Sequence, residues 1–164
     1  MSRNTLQPAP KRHLPDYYAE NFSATMLTPQ GAAHYRLRAQ RAVHYEDSDE
    51  IEAQAPRARA FSPDQPPVTI TSETGRINGD GDVITLIGAV RMTRPPAAAP
   101  RTTGPLLVAS ERMTLLLEDD VVVSDVPVVL ENGPSRIAGK RMRFDNVRRE
   151  LELDGAVQGT IVKR

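Results

Sequence analysis

The chain contains no cysteine and no tryptophan, and only 4% of its residues are aromatic. Without cysteine there are no disulfides, thiolate metal sites or cysteine nucleophile, and the chain is compatible with the cytoplasm or with an oxidising compartment. The scarcity of aromatics argues against a thick ring-filled core and for a thin sandwich of aliphatic side chains. Net charge is absent too: Lys plus Arg and Asp plus Glu both number 21. No overall field draws the chain to nucleic acid, and no nucleic-acid partner is expected. No apolar run reaches the roughly 18 residues of a membrane span, and no signal-peptide core is present. As it stands, the chain is expected neither to span a membrane nor to export itself.

The 164 residues correspond to one domain, with 39% apolar residues. Residues 1–14 are polar, with Pro8, Pro10 and a basic Lys11–His13, and read as a disordered arm ahead of a β-domain over 15–164. "RPPAAAPRTTGP", Arg94 to Pro105, holds four of the 14 prolines and reads as a surface loop between strands. "FSPDQPP", Phe61 to Pro67, reads as a shorter break of the same kind. Elsewhere apolar residues fall two apart, as in Tyr35, Leu37, Ala39, then Ile84, Leu86, Gly88, Val90, and again Met113, Leu115, Leu117. Period two over many short runs predicts half-buried strands and an all-β fold.

The runs repeat. Ala39, Ser72, Ser110 and Gly139 align, each preceded two residues earlier by Leu37, Ile70, Val108 and Ile137. The same alignment brings together Ile51, Ile84, Val122 and Leu151, then Ala53, Leu86, Ser124 and Leu153, then Ala55, Gly88, Val126 and Gly155. Val90, Val128 and Val157 continue it, with Arg57 in the first unit. Each unit reads as a strand, a small residue at a fixed inward position, a turn and a second strand. One unit cannot bury its apolar face alone, whereas stacked units bury a continuous stripe. "NFSATML", Asn21 to Leu27, is expected to be a strand joined by the turn "TPQG" to Ala32–Tyr45. No unit precedes it, so it is an edge.

Little of this points to catalysis or a metal. His34 and His44 share one face of a straight strand but would lie about 33 Å apart, and read as exposed strand histidines beside the acidic turn Glu46–Asp49. "NGDGD", Asn78 to Asp82, starts like a calcium loop, but Ala89 stands where the bidentate glutamate is needed, and a hairpin turn is expected. No nucleophile elbow, phosphate cradle or paired carboxylates stand out, and no enzyme, cofactor or metal site is expected. A glycan hydrolase would need a carboxylate pair in a cleft. The basic run Arg136, Lys140, Arg141, Arg143, Arg148 and Arg149 reads as the solvated face of the last hairpin, the alternative being a surface that meets lipid headgroup phosphates or an acidic partner.

"PDYYAENFSATMLTPQGAAHYRLRAQRAVHYEDSDEIEAQAPRARAF", Pro15 to Phe61, resembles the start of the periplasmic domain of the LptC family of lipopolysaccharide export proteins. The marks are "PDYY", a strand of N-x-[ST] type, a turn glycine, "YRL-A", "HY-D-D" and a proline-bearing strand before an aromatic. "ITSETGRINGDGDVITLIGAV" and "IAGKRMRFDNVRRELELDGAV" resemble repeats shared by LptC, LptA and the N-terminal domain of LptD. The resemblance covers about Pro15 to Val162.

It implies a twisted, open β-jellyroll of two facing antiparallel sheets. It also implies a role in accepting lipopolysaccharide from the inner-membrane ABC transporter LptBFG and passing it to LptA, in the periplasm and associated with the inner membrane. The inward aliphatics would line a lipid groove: Phe22, Met26, Leu37, Ile70, Leu86 and Val90 from the earlier strands, and Leu115, Leu117, Val122, Ile137, Phe144, Leu151 and Leu153 from the later ones. By the family's polarity, Asn21, Phe22, Ser23, Ala24, Thr25, Met26 and Leu27 would face the transporter. Leu151, Leu153, Gly155, Val157, Thr160 and Ile161 would face LptA. A homodimer through the same edges, or a soluble LptA-like connector that oligomerises by strand addition, is the alternative arrangement. Family members normally open with a transmembrane helix, and the polar start departs from that, leaving either a trimmed helix or a protein positioned by its partners.

Overall fold

Period-two alternation gives each segment one apolar and one polar face, and the chain buries the apolar faces by folding a single antiparallel ladder onto itself. The computed structural model describes residues 12–96 and 105–162. The expected arm lies outside these apart from Arg12–Leu14, as do residues 97–104 of the expected proline-rich loop.

Fourteen strands follow in order. The first seven are β1 Pro15–Leu27, β2 Ala33–Tyr45, β3 Ile51–Gln54, β4 Arg57–Ser62, β5 Gln65–Thr71, β6 Thr74–Ile77 and β7 Val83–Arg94. The rest are β8 Leu106–Leu116, β9 Val121–Ser124, β10 Val128–Asn132, β11 Ser135–Gly139, β12 Arg141–Asp145, β13 Glu150–Asp154 and β14 Gln158–Thr160. The long strands β1, β2, β7 and β8 bend in the middle and belong to two walls at once. The first wall runs β1–β2–β4–β5–β7–β8–β10–β11–β14 through their paired segments. The second runs β1–β2–β3–β6–β7–β8–β9–β12–β13. The result is the all-β fold that the alternation predicts, in the jellyroll form that the family resemblance implies.

The aligned repeat positions now have a physical meaning. Ala39, Ser72, Ser110 and Gly139 stand where the chain leaves the first wall, and Ala55, Gly88, Val126 and Gly155 where it returns from the second. The corner has a left-handed backbone at Asn21, Ala55, Gly88, Ala89, Gly155 and Ala156. A Cβ on Gly88 would lie 2.5 Å from Glu73 Oε2, and one on Gly155 2.7 Å from Lys140 Cβ, so both positions call for glycine. Ser110 Oγ donates to the Pro127 carbonyl at 3.0 Å and Ser124 Oγ to the Arg112 carbonyl at 2.8 Å. Two small hydroxyls thereby satisfy carbonyls that the bend takes out of the ladder.

Three expectations are corrected. The first strand begins at Pro15, and Asn21 is its bend (φ 51°) rather than its start. "FSPDQPP" is a tight hairpin: only Pro63 and Asp64 lie outside strands, and Pro66 and Pro67 lie in β5. The prolines are tolerated because the β4–β5 register shifts there and β7 joins only from Thr69. The first repeat unit slips by one after the corner, so Ala58 faces the core and Arg57 is exposed.

Candidate functional site

The inner faces of the two walls form one apolar trough. In the first wall a rung of directly opposed residues runs Ala24, Leu37, Ala58, Ile70, Met92, Val108, Leu130, Ile137 and Gly159, from β1 to β14. In the second wall the rung runs His44, Ile51, Ile77, Ile84, Leu115, Val122, Phe144 and Leu151, from β2 to β13. No charged side chain other than the rim residue His44 interrupts either rung.

The structure places the proposed groove residues Leu37, Ile70, Leu86, Val90, Leu115, Leu117, Val122 and Phe144 in the buried core. Phe22, Met26, Leu151 and Leu153 pack against that core while partly exposed, as do Ile51 and Leu130. Ile137 is half-buried. The middle of the trough is therefore filled by its own side chains, and the partly exposed apolar groups gather toward its ends.

Among the described residues both ends are unpaired on one side: β1 pairs with β2 alone, β13 with β12 alone, and β14 with β11 alone. On β1, Ser23 and Thr25 alternate outward with Phe22, Ala24 and Met26, and Leu27 is exposed. At the far end Leu151 and Leu153 turn inward, Gly155 occupies the corner, and Val157 is exposed. Thr160 pairs with Arg136, and Ile161 follows the strand, exposed. The start of β1 is tied down by side chains. Asp16 Oδ1 lies 2.7 Å from His44 Nδ1, and the Tyr17 ring stacks on His44 at 4.4 Å. The Arg41 guanidinium lies 4.7 Å from the centre of the Tyr18 ring.

The histidines differ from their expected setting. The bend at Gln40 reverses the alternation of β2, so Tyr35, Leu37 and Ala39 face inward before it and Ala42 after it. His34 and His44 consequently point to opposite faces, and each meets carboxylates: His34 meets Asp120 at 3.1 Å, and His44 meets Asp16 and Asp49. Hydrogen bonds that His44 donates to Asp16 and then to Asp49 raise the His44 pKa, and accepting from His44 lowers that of Asp16.

A polar seam, absent from the sequence reading, closes the side opposite the corner. Buried Asp120, in the β8–β9 turn with a left-handed backbone, accepts hydrogen bonds from Tyr35 Oη of β2 and, at 3.1 Å, from Asn146 Nδ2. Burial, and then the Asp120 carboxylate, push the Tyr35 phenol well up. Arg149 donates through Nη1 to the Pro66 carbonyl at 3.1 Å, and burial lowers its pKa. Arg149 is therefore not part of a solvated face. Arg141 is exposed, as expected, and pairs with the equally exposed Asp154 at 3.0 Å. Tyr35 and Asp120 lie 85 residues apart and Arg149 and Pro66 83, and nothing in a linear pattern signals that they meet.

"NGDGD" forms the expected hairpin turn: Asn78 Oδ1 accepts from the Asp82 and Val83 amides, both at 3.0 Å, and Gly81 has φ 73°. Among the described residues no group of three or more His, Cys, Asp or Glu could hold a metal ion, and no helix is long and apolar enough to cross a membrane.

The fold has a counterpart among solved structures. LptH of Pseudomonas aeruginosa, the LptA homologous periplasmic component of the conserved lipopolysaccharide transport device, superposes with a TM-score of 0.60. The match covers 79% of this chain and 95% of that one at 14% identity, and establishes the shared fold. No curated protein matches the chain. The family model for "Lipopolysaccharide-assembly, LptC-related" proteins matches residues 2–162, and the chain belongs to that family.

Proposed function

We propose that the chain is a non-enzymatic lipopolysaccharide carrier of the periplasm, associated with the inner membrane. It takes the lipid from the transporter LptBFG at its N-terminal edge and hands it to LptA at its C-terminal edge. The observation that carries this reading is the pair of apolar rungs that run through both walls to the unpaired end strands. Such a surface has no polar recognition to offer a reacting group. It suits acyl chains, each buried methylene being worth about 0.8 kcal/mol.

Acyl chains meet the partly exposed residues at the ends first and enter by displacing side chains that fill the middle. The seam around Asp120 sets how far the walls can part. The end strands present unpaired main-chain groups, so a neighbour docks by adding a strand, with main-chain hydrogen bonds giving affinity and flanking side chains giving selectivity. A photo-crosslinking residue at Thr25 is expected to capture a transporter subunit, and one at Thr160 LptA. One at Leu153 is expected to capture lipopolysaccharide only while the transporter hydrolyses ATP. Capture of LptA from Thr25, or no ATP-dependent lipid adduct at Leu153, would contradict this reading.

A further inference from the structure

The outer face of the first wall carries a feature that the trough does not use. Arg36 and Arg59 stand directly opposite each other across β2 and β4, and so do Arg38 and Arg57 one rung away. Like charges directly opposed across strands are destabilising. Basic residues often guard sheet edges, but β2 and β4 are interior strands, with β1 on one side and β5 on the other. Edge protection therefore does not account for them. Their neighbours along the two rungs are Ser23 and Thr25 on β1, and Thr69 and Thr71 on β5, which bring hydroxyls and no carboxylate.

No ion pair involves any of the four among the described residues, and residues 1–11 and 97–104 contain no Asp or Glu. The second wall handles its charges differently, with Arg76 beside Glu50 and Glu52, Arg112 beside Asp125 and Arg141 beside Asp154. The four arginines alone line a hollow of about 210 Å³. The Nε of Arg59 is buried there without a hydrogen-bond partner. Arg36 is held by Thr25 Oγ1 at 3.4 Å and lies 5.6 Å from the centre of the Phe61 ring, which fixes the guanidinium before any ligand arrives.

We propose that Arg36, Arg38, Arg57 and Arg59 form a binding site for a phosphate monoester or diphosphate, on the outside of the jellyroll and separate from the trough. Four planar forks around a small hollow match the oxygens of a compact, multiply charged phosphate, each guanidinium donating two parallel hydrogen bonds. A bilayer surface is the poorer match, because the charges converge on one hollow rather than spread over a face. Bound phosphate offsets the repulsion between the opposed pairs, supplies the partner that Arg59 Nε lacks, and stabilises the fold by mass action.

The test uses the full chain with pyrophosphate and inorganic phosphate as probes. The melting temperature is expected to rise with pyrophosphate beyond the rise in sodium chloride of equal ionic strength. In R38Q/R57Q the affinity for pyrophosphate is expected to fall about tenfold or more, in keeping with the loss of charge-assisted bonds. R76Q/R141Q on the second wall is expected to keep it. Without anion, R38Q/R57Q is expected to melt no lower than the parent, since a repulsive pair has been removed. Competition by lipopolysaccharide, but not by its dephosphorylated form, assigns the phosphate to the lipid headgroup. Competition by neither assigns it to a free phosphate compound. An equal effect of chloride, or unchanged pyrophosphate affinity in R38Q/R57Q, overturns the site. So does co-sedimentation with phosphatidylglycerol vesicles without any pyrophosphate effect, which would indicate a membrane-docking face instead.

Discussion

The two ends of the ladder are built differently. The N-terminal end is one 13-residue strand, paired along β2 from Pro15 opposite Tyr45 to Leu27 opposite Ala33 and bent once at Asn21. Phe22 and Met26 fasten it to the core, and Asp16, Tyr17 and Tyr18 fasten its start. The C-terminal end is two strands of five and three residues separated by the Gly155 corner, and every residue of β14 is exposed. A long strand with one buried face has a firmly specified register, whereas a three-residue strand frays. In the proposed function, a partner docking at the first end would meet a preformed template, and one docking at the second would have to order part of what it binds, which lowers affinity and favours release. That asymmetry fits the proposed one-way transfer.

Core truncation separates the ends most strongly. Phe144, fully buried in β12 opposite Leu151 of β13, is expected to cost about 3–5 kcal/mol when replaced by alanine. Phe22→Ala, at a partly exposed site, is expected to cost clearly less in the same urea titration. Equal losses would mean that the N-terminal strand is as deeply anchored as the C-terminal core.

The seam joins the two halves, because Tyr35 belongs to β2 and Asp120 and Asn146 to later turns. Asp120→Ala leaves the phenol and the amide without their acceptor and is expected to destabilise by about 2–3 kcal/mol. Tyr35→Phe is expected to be nearly neutral in that background but not in the parent, as a double-mutant cycle would show.

The turn glycines give a smaller contrast. Gly31, ahead of β2, has φ 86° and open space around its Cβ position, while Gly155 has φ 78° and Lys140 Cβ at 2.7 Å. Gly31→Ala is expected to cost about 1 kcal/mol, the backbone strain alone. Gly155→Ala is expected to cost more and also to weaken LptA pull-down, because the clash with Lys140 pushes the corner between β13 and β14 away from β11 and β12.

The smallest effect is with pH. The His44 pKa is raised above its ordinary value of 6.5, chiefly by the Asp16 hydrogen bond, and that of Asp16 is lowered from 3.8. The contribution from His44 is complete below about 6.5 and is lost as pH rises through the raised value. The contribution from Asp16 is complete above about 3.8 and is lost as pH falls through the lowered value. Hydrogen-exchange protection at residues 16–20, with the intrinsic pH dependence of exchange divided out, is expected to be greatest between those limits and to fall toward alkaline pH, with protection of β14 unchanged. His44→Ala is expected to remove the dependence, and a pH-independent β1 in the parent would contradict the assignment.

Much of the fold was legible because alternation and turn chemistry are local. Ile84, Leu86 and Val90 declare a face, "NGDGD" declares a turn, and the aligned Ala39, Ser72, Ser110 and Gly139 mark the corner. What stayed hidden depended on the bend. Reversal of the alternation at Gln40 changes which face His44 occupies, and the slip after Ala55 exposes Arg57. The arginine hollow and the Asp120 seam were equally hidden, since their members come from strands and turns whose pairing only the folded ladder fixes. The prolines of β5 misled for the same reason: a register shift accommodates them, and no sequence rule locates that shift.

In the proposed function, lipid travels inside the walls rather than over them. Neighbouring positions on β8 test it, because Leu115 is buried in the trough and Thr114 lies on the outer face. Photo-crosslinking residues at each, in chains whose circular dichroism matches the parent, would be activated during lipopolysaccharide export. A lipopolysaccharide adduct is expected at Leu115 and none at Thr114. An adduct at Thr114 alone, or at neither position while export proceeds, would contradict it.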